Sequence, residues 1–321
     1  MGTVLITGAN GSLALPAVSY LLSRYPSCTA VLTVRDDSDR DPNTAKLRAI
    51  IANFPNANCS IRKLNLAPLS SIRAFTDEIH FDIAQGKMPP LVAIICNAFT
   101  WSLSSGPKFT EDGYEQSIAV NHLAHFTLTL RLLEDFDKKQ GGRVLFFTSD
   151  SHWPGKAGFE KFPPILPEDL DLLEVGQGFK RYGLSKLVIL MTMYELSRRL
   201  KKSKDMKQIA ALAVDPGGLL DSRAFLGKDV PQGWAILIRI VNWLQPLLKL
   251  VKPTLRRASD GAEDIINLAV SPQYAGQECY FEMNQKAESS PDSKNERLQA
   301  LLWDKSLEWC KLDQNDTVLP L

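Results

Sequence analysis

Cysteine is sparse and unpatterned in this chain. Five residues among 321 (Cys28, Cys59, Cys96, Cys279, Cys310) make an odd number with no C-x-x-C pair. That argues against a disulfide framework and a cysteine-ligated zinc site, and fits a reducing compartment. An excess of one charge sign is also missing: 37 Lys and Arg oppose 36 Asp and Glu, a formal net charge of +1. No overall field therefore draws nucleic acid, and no basic stripe interleaved with aromatics is present to bind it. Uninterrupted apolar runs of bilayer-spanning length are absent. The longest apolar segment, Trp234 to Val251, is broken by Arg239, Asn242, Gln245, Pro246 and Lys249. A leader peptide is not expected, because the first strand pattern, Val4-Leu5-Ile6, starts close to Met1. The expected location is cytoplasmic.

What the chain does have is alternation. Short apolar runs predict strands at Thr3–Thr7, Thr29–Val34, Cys59–Leu64, Leu91–Cys96, Arg143–Thr148, Ile209–Val214 and Glu278–Phe281. Amphipathic stretches between them predict helices at Leu13–Arg24, Asn43–Asn53, Leu69–Gln85, Asp112–Phe136, Phe179–Lys202 and Asp260–Val270. Strand followed by helix from end to end predicts an α/β chain with a doubly wound parallel sheet, its ligands at the carboxyl ends of the strands. Ser70 and Ser71 are expected to cap the third helix and Ser259 the last. A length prior of about two domains gives way to a single domain over 1–321, with insertions at 153–180 and 223–258.

Between the first strand and helix stands Thr7-Gly8-Ala9-Asn10-Gly11-Ser12-Leu13-Ala14. Small residues here let backbone amides and a helix N-terminus approach a diphosphate, where the helix dipole favours negative charge. The G-x-G-x-x-G pattern is absent. About twenty residues further on, an acid would hold the ribose of NAD. Val34 and then Arg35 stand there instead, and a guanidinium at that strand end favours the 2′-phosphate of NADP.

Tyr182-Gly-Leu-Ser-Lys186 places a phenol and an ammonium at i,i+4 on one helix face. A lysine so placed lowers a tyrosine pKa from about 10 toward neutrality, giving a general acid or base for a carbonyl or alcohol. The strand Arg143-Val-Leu-Phe-Phe-Thr-Ser149 ends in a hydroxyl able to donate to a substrate carbonyl. Asn121 lies mid-helix, where asparagine has no intrinsic advantage, so a specific partner is expected. Asn97, in Cys96-Asn-Ala-Phe99, is available to fix the backbone beneath a cofactor. His122 and His125 lie i,i+3 with no carboxylate triad near them, so no metal is expected. His152 either faces substrate or caps its loop.

Together these residues resemble the short-chain dehydrogenase/reductase family over nearly the whole chain. The first turn is similar to the family's T-G-x-x-x-G-x-G, with Ser12 and Ala14 at two glycine positions. The resemblance implies a Rossmann-type domain that binds NADP as NADPH. In it Tyr182 is the proton donor, Ser149 polarises the carbonyl, Lys186 binds the nicotinamide ribose, and Asn121 holds a water in the proton relay. It further implies cofactor contacts from Gly8, Asn10, Gly11, Ser12, Leu13, Arg35, Asn65, Leu66, Asn97, Ala98, Pro216, Gly217 and Leu219, with Tyr182 and Lys186. Phe99 stands where the family has a glycine, and Asp221, after Asp215-Pro-Gly-Gly218, takes the usual threonine position near the carboxamide.

Ser149 and Tyr182 stand 33 apart. That spacing, Pro167-Glu-Asp-Leu-Asp171, His152 and Leu302-Trp303-Asp-Lys-Ser306 resemble the retinol-dehydrogenase-like branch. The apolar segment 234–252 resembles a stretch of keto-sterol reductases. Both imply a bulky lipophilic substrate, such as a polycyclic terpenoid, sterol-like or polyketide ketone, or the matching alcohol. The segment 234–251 has three readings. It is a substrate lid with Trp234 and Trp243 lining a pocket; or an interfacial helix that sets Arg239, Lys249, Lys252, Arg256 and Arg257 against an intracellular membrane; or core packing or the surface of a homo-oligomer. The alternative of another class is a cofactor-binding scaffold serving a non-redox step, as isomerase or cyclase, or a sensor.

Overall fold

The structure is a computed structural model. It describes residues 2–153, 177–219 and 254–321 and, between these last two ranges, 221–227, 229–230, 233, 236 and 240–244. Most of the expected insertion at 153–180, including Pro167–Asp171, lies outside the described residues, as does Trp234.

Most of the apolar runs become strands buried on both faces, as a parallel sheet between helix layers requires, while the edge strand Cys59–Lys63 is half-buried with Lys63 exposed. β1 (Thr3–Ile6), β2 (Thr29–Val34), β3 (Cys59–Lys63), β4 (Leu91–Cys96), β5 (Gly142–Phe147) and β6 (Ile209–Asp215) are followed by two-residue β7 (Gly218–Leu219) and β8 (Leu255–Arg256). β9 (Tyr280–Glu282) and β10 (Gln285–Lys286) complete the set. The eight-stranded sheet runs β10-β9-β6-β5-β4-β1-β2-β3. Every pair in it is parallel except β9 with β10. Chain order reverses between β1 and β4, so a crevice opens beyond Ile6 and Cys96.

Two apolar clusters, one on each face of the sheet, form the core. α1 (Ala14–Arg24), α2 (Pro42–Ala52) and, later in the chain, α6 (Ala258–Val270) contribute to one. The other takes its side chains from α3 (Leu69–Ala84), α4 (Ala124–Arg131), α5 (Gly178–Lys202) and α7 (Glu296–Cys310).

Helix starts depart from expectation where distant side chains supply the cap. Leu69 N–H donates to Asp112 Oδ2 at 2.9 Å, so α3 is capped across the fold while Ser70 and Ser71 lie inside the helix. α6 begins at Ala258, whose N–H donates to Asp221 Oδ1 at 2.8 Å, in place of the expected Ser259 cap. That bond also explains an acid at Asp221: it closes a helix end. The expected long helix Asp112–Phe136 is broken into a short turn (Gln116–Ile118), a π-helical turn (Ala119–Leu123), α4 and a final 3-10 turn (Leu133–Asp135). β7 pairs with β8, Gly218 against Leu255 and Leu219 against Arg256, in a separate two-stranded parallel ladder.

Candidate active site

The turn between β1 and α1 is held rigidly from below. Gly8 has φ +62°, and a Cβ there would lie 3.0 Å from that of Ala98, so only glycine sits without strain. Asn97 Nδ2 donates to the carbonyls of Thr7 at 2.9 Å and Gly8 at 3.1 Å. Asn97 thus fixes the backbone as expected. Thr7 Oγ1 accepts from Ala98 N–H at 3.0 Å and pairs with His125 Nε2 at 3.0 Å. Burial pushes the pKa of His125 down to about 3, so it stands neutral as a prop under the turn. Among the described residues no group of three or more His, Cys, Asp or Glu could hold a metal. The first turn of α1 carries no side-chain cap. Leu15 N–H donates to the Gly11 carbonyl at 3.0 Å and Pro16 has no N–H, so what this end offers an anion is mainly the positive end of the helix dipole.

Beyond the ends of β4, β5 and β6 lies a cavity of about 540 Å³. Ser149, Tyr182 and Lys186 line it together with Gly8, Gly11, Ser12, Leu13, Asn97, Ala98, Pro216, Gly217 and Leu219. Four other expected cofactor contacts lie outside its lining. Asn10 Nδ2 donates to Thr44 Oγ1 at 3.0 Å, Arg35 is exposed just past β2, Asn65 Oδ1 accepts from Ala67 N–H at 3.2 Å, and Leu66 is core. The walls are aromatic: Trp101 packs against Tyr182 at 5.1 Å between centroids, against Phe225 at 5.3 Å and against Phe99 at 5.4 Å. The lid reading needs a correction. Val241 faces the cavity, whereas Trp243 is 79% exposed and Ile236 and Ile240 also face outward.

Charge in this cavity differs from the expected arrangement. Lys186 Nζ donates to the Phe147 carbonyl at 3.0 Å and lies 5.3 Å from the Phe99 ring centroid and 5.6 Å from that of Tyr182. Burial pulls the Lys186 pKa down to about 7, partly offset by the Asp215 charge. The Tyr182 phenol is pushed up, not down, by burial first and by Asp215 second, against a hydrogen bond with Ser149. Burial and Asp215 therefore outweigh any lowering of the tyrosine pKa by the lysine, whose cation is itself costly to bury.

Asn121 has the specific partner its mid-helix position called for. Its Oδ1 accepts from Thr100 N–H at 2.8 Å, and Nδ2 donates to the Thr100 carbonyl and to Ser185 Oγ, both at 2.9 Å. Both amide protons are thereby used, so its side chain positions the loop after β4. The π turn provides the extra residue that turns it there. His152 resolves to a cap: buried, it pairs with the Ser149 carbonyl at 2.5 Å through Nδ1 and accepts from Ser290 N–H at 3.2 Å through Nε2.

Three side chains escaped the sequence reading. Asp150 accepts from Ser149 Oγ at 3.1 Å. Asp215 is 5% exposed, its carboxylate accepting from Gly217 N–H at 2.9 Å; burial and then Asp150 push its pKa up to about 7. An acid directly before Pro-Gly was the available signal for it. Arg223 reaches the first turn from the far side of the site, and no local pattern marks it.

The chain as a whole is similar to known proteins. Residues 224–319 match the AcuH dehydrogenase domain. The chain is 30% identical to the short-chain dehydrogenase iccH of Talaromyces variabilis, over 99% of this chain and 98% of that one. Retinol dehydrogenase 14 of Mus musculus is 28% identical over 95% of this chain and 84% of its own. Among solved structures, an uncharacterised protein from Mycobacterium paratuberculosis superposes with a TM-score of 0.68 at 26% identity, covering 100% of this chain and 96% of that one.

Proposed function

Because the chain belongs to the short-chain dehydrogenase/reductase family, in its retinol-dehydrogenase-like branch, we propose that it is an NADPH-dependent oxidoreductase. It interconverts a ketone or aldehyde and the alcohol on a bulky lipophilic small molecule. The observation that carries this reading is convergence: Ser149, Tyr182 and Lys186 share one cavity with the β1–α1 turn and the Pro216-Gly217 turn.

The residues fit a nicotinamide dinucleotide. Gly8 leaves a cradle that any side chain would fill, and the positive end of the α1 dipole beside it favours phosphate. Arg35, with no acid at Val34, supports NADPH over NADH. When bound, the dinucleotide supplies or accepts hydride. Tyr182 delivers the proton to the carbonyl oxygen, and Ser149 Oγ leaves Asp150 to donate to the same oxygen. Lys186 keeps N–H donors beyond its Phe147 bond for a ribose hydroxyl. Phe99, Trp101, Phe147, Phe179, Phe225 and Val241 give the cavity an apolar wall, which suits a polycyclic terpenoid, sterol-like or polyketide skeleton. The segment carrying Val241 serves as the substrate lid.

The test is NADPH consumption against decalones and larger polycyclic ketones. Wild type turns over with a lower KM for NADPH than for NADH. Tyr182→Phe loses about 10²- to 10⁴-fold in kcat while binding NADPH as before. Full turnover in that variant refutes the assignment.

A further inference from the structure

Arg223 follows the Pro-Gly turn and opens a single 3-10 turn, Arg223–Leu226. From there it grips the turn between β1 and α1. Its backbone N–H donates to Ser12 Oγ at 3.0 Å, its Nε donates to the same oxygen at 3.2 Å, and its Nη2 donates to the Asn10 carbonyl. Those two side-chain bonds use two of the five N–H donors of a guanidinium and leave three. Among the described residues no carboxylate lies within ion-pair distance of Arg223. The charge acting on it is that of Asp41, whose Oδ1 already accepts from Asn43 and Thr44 N–H at the start of α2. Burial pulls the guanidinium pKa down, the mark of a cation without full compensation.

A half-buried arginine beside the uncapped end of α1 sets positive charge against positive dipole. An anion between them removes that conflict. Ser12 supplies the second half of the argument. It occupies a position where the short-chain dehydrogenase pattern has glycine, and its hydroxyl is the atom that Arg223 holds twice.

We propose that Arg223 is a ligand of the cofactor's phosphates, and that Ser12 stands in place of glycine because its hydroxyl aims this arginine over the turn. The inference rests on the dinucleotide reading above and adds a residue to it. It also links the two halves of the cavity. Phe225 rides on the same 3-10 turn and packs on Trp101, which packs on Tyr182. Capture of phosphate by Arg223 thus steadies the aromatic wall beside the reacting carbonyl.

The experiment titrates NADPH and NADH into the full-length wild type, Arg223→Gln, Arg223→Lys and Ser12→Gly, read by tryptophan quenching at low and high salt. Arg223→Gln is expected to weaken binding by about ten- to a hundredfold, the range of a charge-assisted hydrogen bond, with a flatter salt dependence. Loss for both dinucleotides assigns the diphosphate; loss for NADPH alone assigns the 2′-phosphate. Arg223→Lys keeps the charge and falls between. Ser12→Gly is expected to weaken binding even though it restores the glycine of the pattern. Equal affinities for wild type and a folded Arg223→Gln overturn the assignment, and undiminished affinity in Ser12→Gly overturns the role of Ser12. A wild type that binds neither dinucleotide overturns the cofactor reading and this inference with it.

Discussion

Asp215→Asn should stabilise the protein at alkaline pH and do progressively less as pH falls. The Asp215 carboxyl is buried at the carboxyl end of β6, level with Glu282 on β9, and it faces Asp150 from the β5 loop and Tyr182 and Lys186 from α5. Burial, then Asp150, raise its pKa to about 7 from an ordinary value of 3.8. In that window the folded chain holds a proton that the unfolded chain has released. Stability from this group is therefore full below about pH 4 and declines until pH passes about 7. At about 1.4 kcal/mol per unit, the two units between pH 5 and 7 correspond to about 3 kcal/mol. Asparagine keeps an oxygen for the Gly217 N–H and carries no charge to desolvate. Urea unfolding of both proteins at pH 5 and pH 8 measures the effect. The stability gap in favour of Asp215→Asn should widen by about 3 kcal/mol between the two pH values. His122 and His125, pushed down to about 3 by burial, titrate alike in both proteins and cancel. Lys186, at about 7 and held up by the Asp215 charge, titrates in the same window and loses that support in Asp215→Asn, so the gap reports the pair. A gap that stays constant from pH 5 to 8 refutes the reasoning.

Three further outcomes follow from the same geometry. Gly8→Ala forces a side chain into φ +62° against Ala98, so it should cost about 1–2 kcal/mol and abolish dinucleotide binding; an intact binding isotherm would contradict the cradle. Asn121→Ala strips both the Thr100 N–H and carbonyl of their partner, so thermal unfolding should show a loss of about 1–3 kcal/mol together with reduced kcat. An unchanged melting curve would count against that positioning role. The outward Ile236, Ile240 and Trp243 belong to a stretch whose charged residues from 230 to 257 are all basic. Flotation with anionic vesicles is expected for wild type and weaker for Trp243→Ser/Ile240→Ser; equal flotation of the two proteins would exclude a bilayer contact through this face.

The sheet was legible because a strand buried on both sides leaves a continuous apolar run, and β1, β2, β4, β5 and β6 fall within a residue or two of expectation. Tyr182, Lys186 and Ser149 were legible because their spacing and strand-end placement are local properties of the chain. What stayed hidden depends on partners remote in sequence. The cap on α3 comes from Asp112 and that on α6 from Asp221, so local serines gave the wrong answer. The break at Asn121 arises from bonds to the Thr100 backbone and Ser185, which no helical periodicity registers. The rise in the Tyr182 pKa needed Asp215 and burial to be placed in space, since i,i+4 spacing to a lysine alone argues for the opposite sign.

The β7–β8 pairing gives the insertion a common doorway. Leu219 leaves the body beside Arg256, and Leu255 returns beside Gly218. Gly217 holds the threshold tight, for a Cβ there would come within 2.7 Å of the Thr254 carbonyl. A segment that exits and re-enters at one point can be exchanged like a cassette, its length and polarity altered without shifting the register of the sheet. Ser149, Tyr182 and Lys186 all lie outside that segment, after β5 and on α5. Grafting 226–254 from a relative, with Asp221 and Arg223 kept from the host, should therefore transplant substrate preference while the proton-transfer chemistry stays with the host.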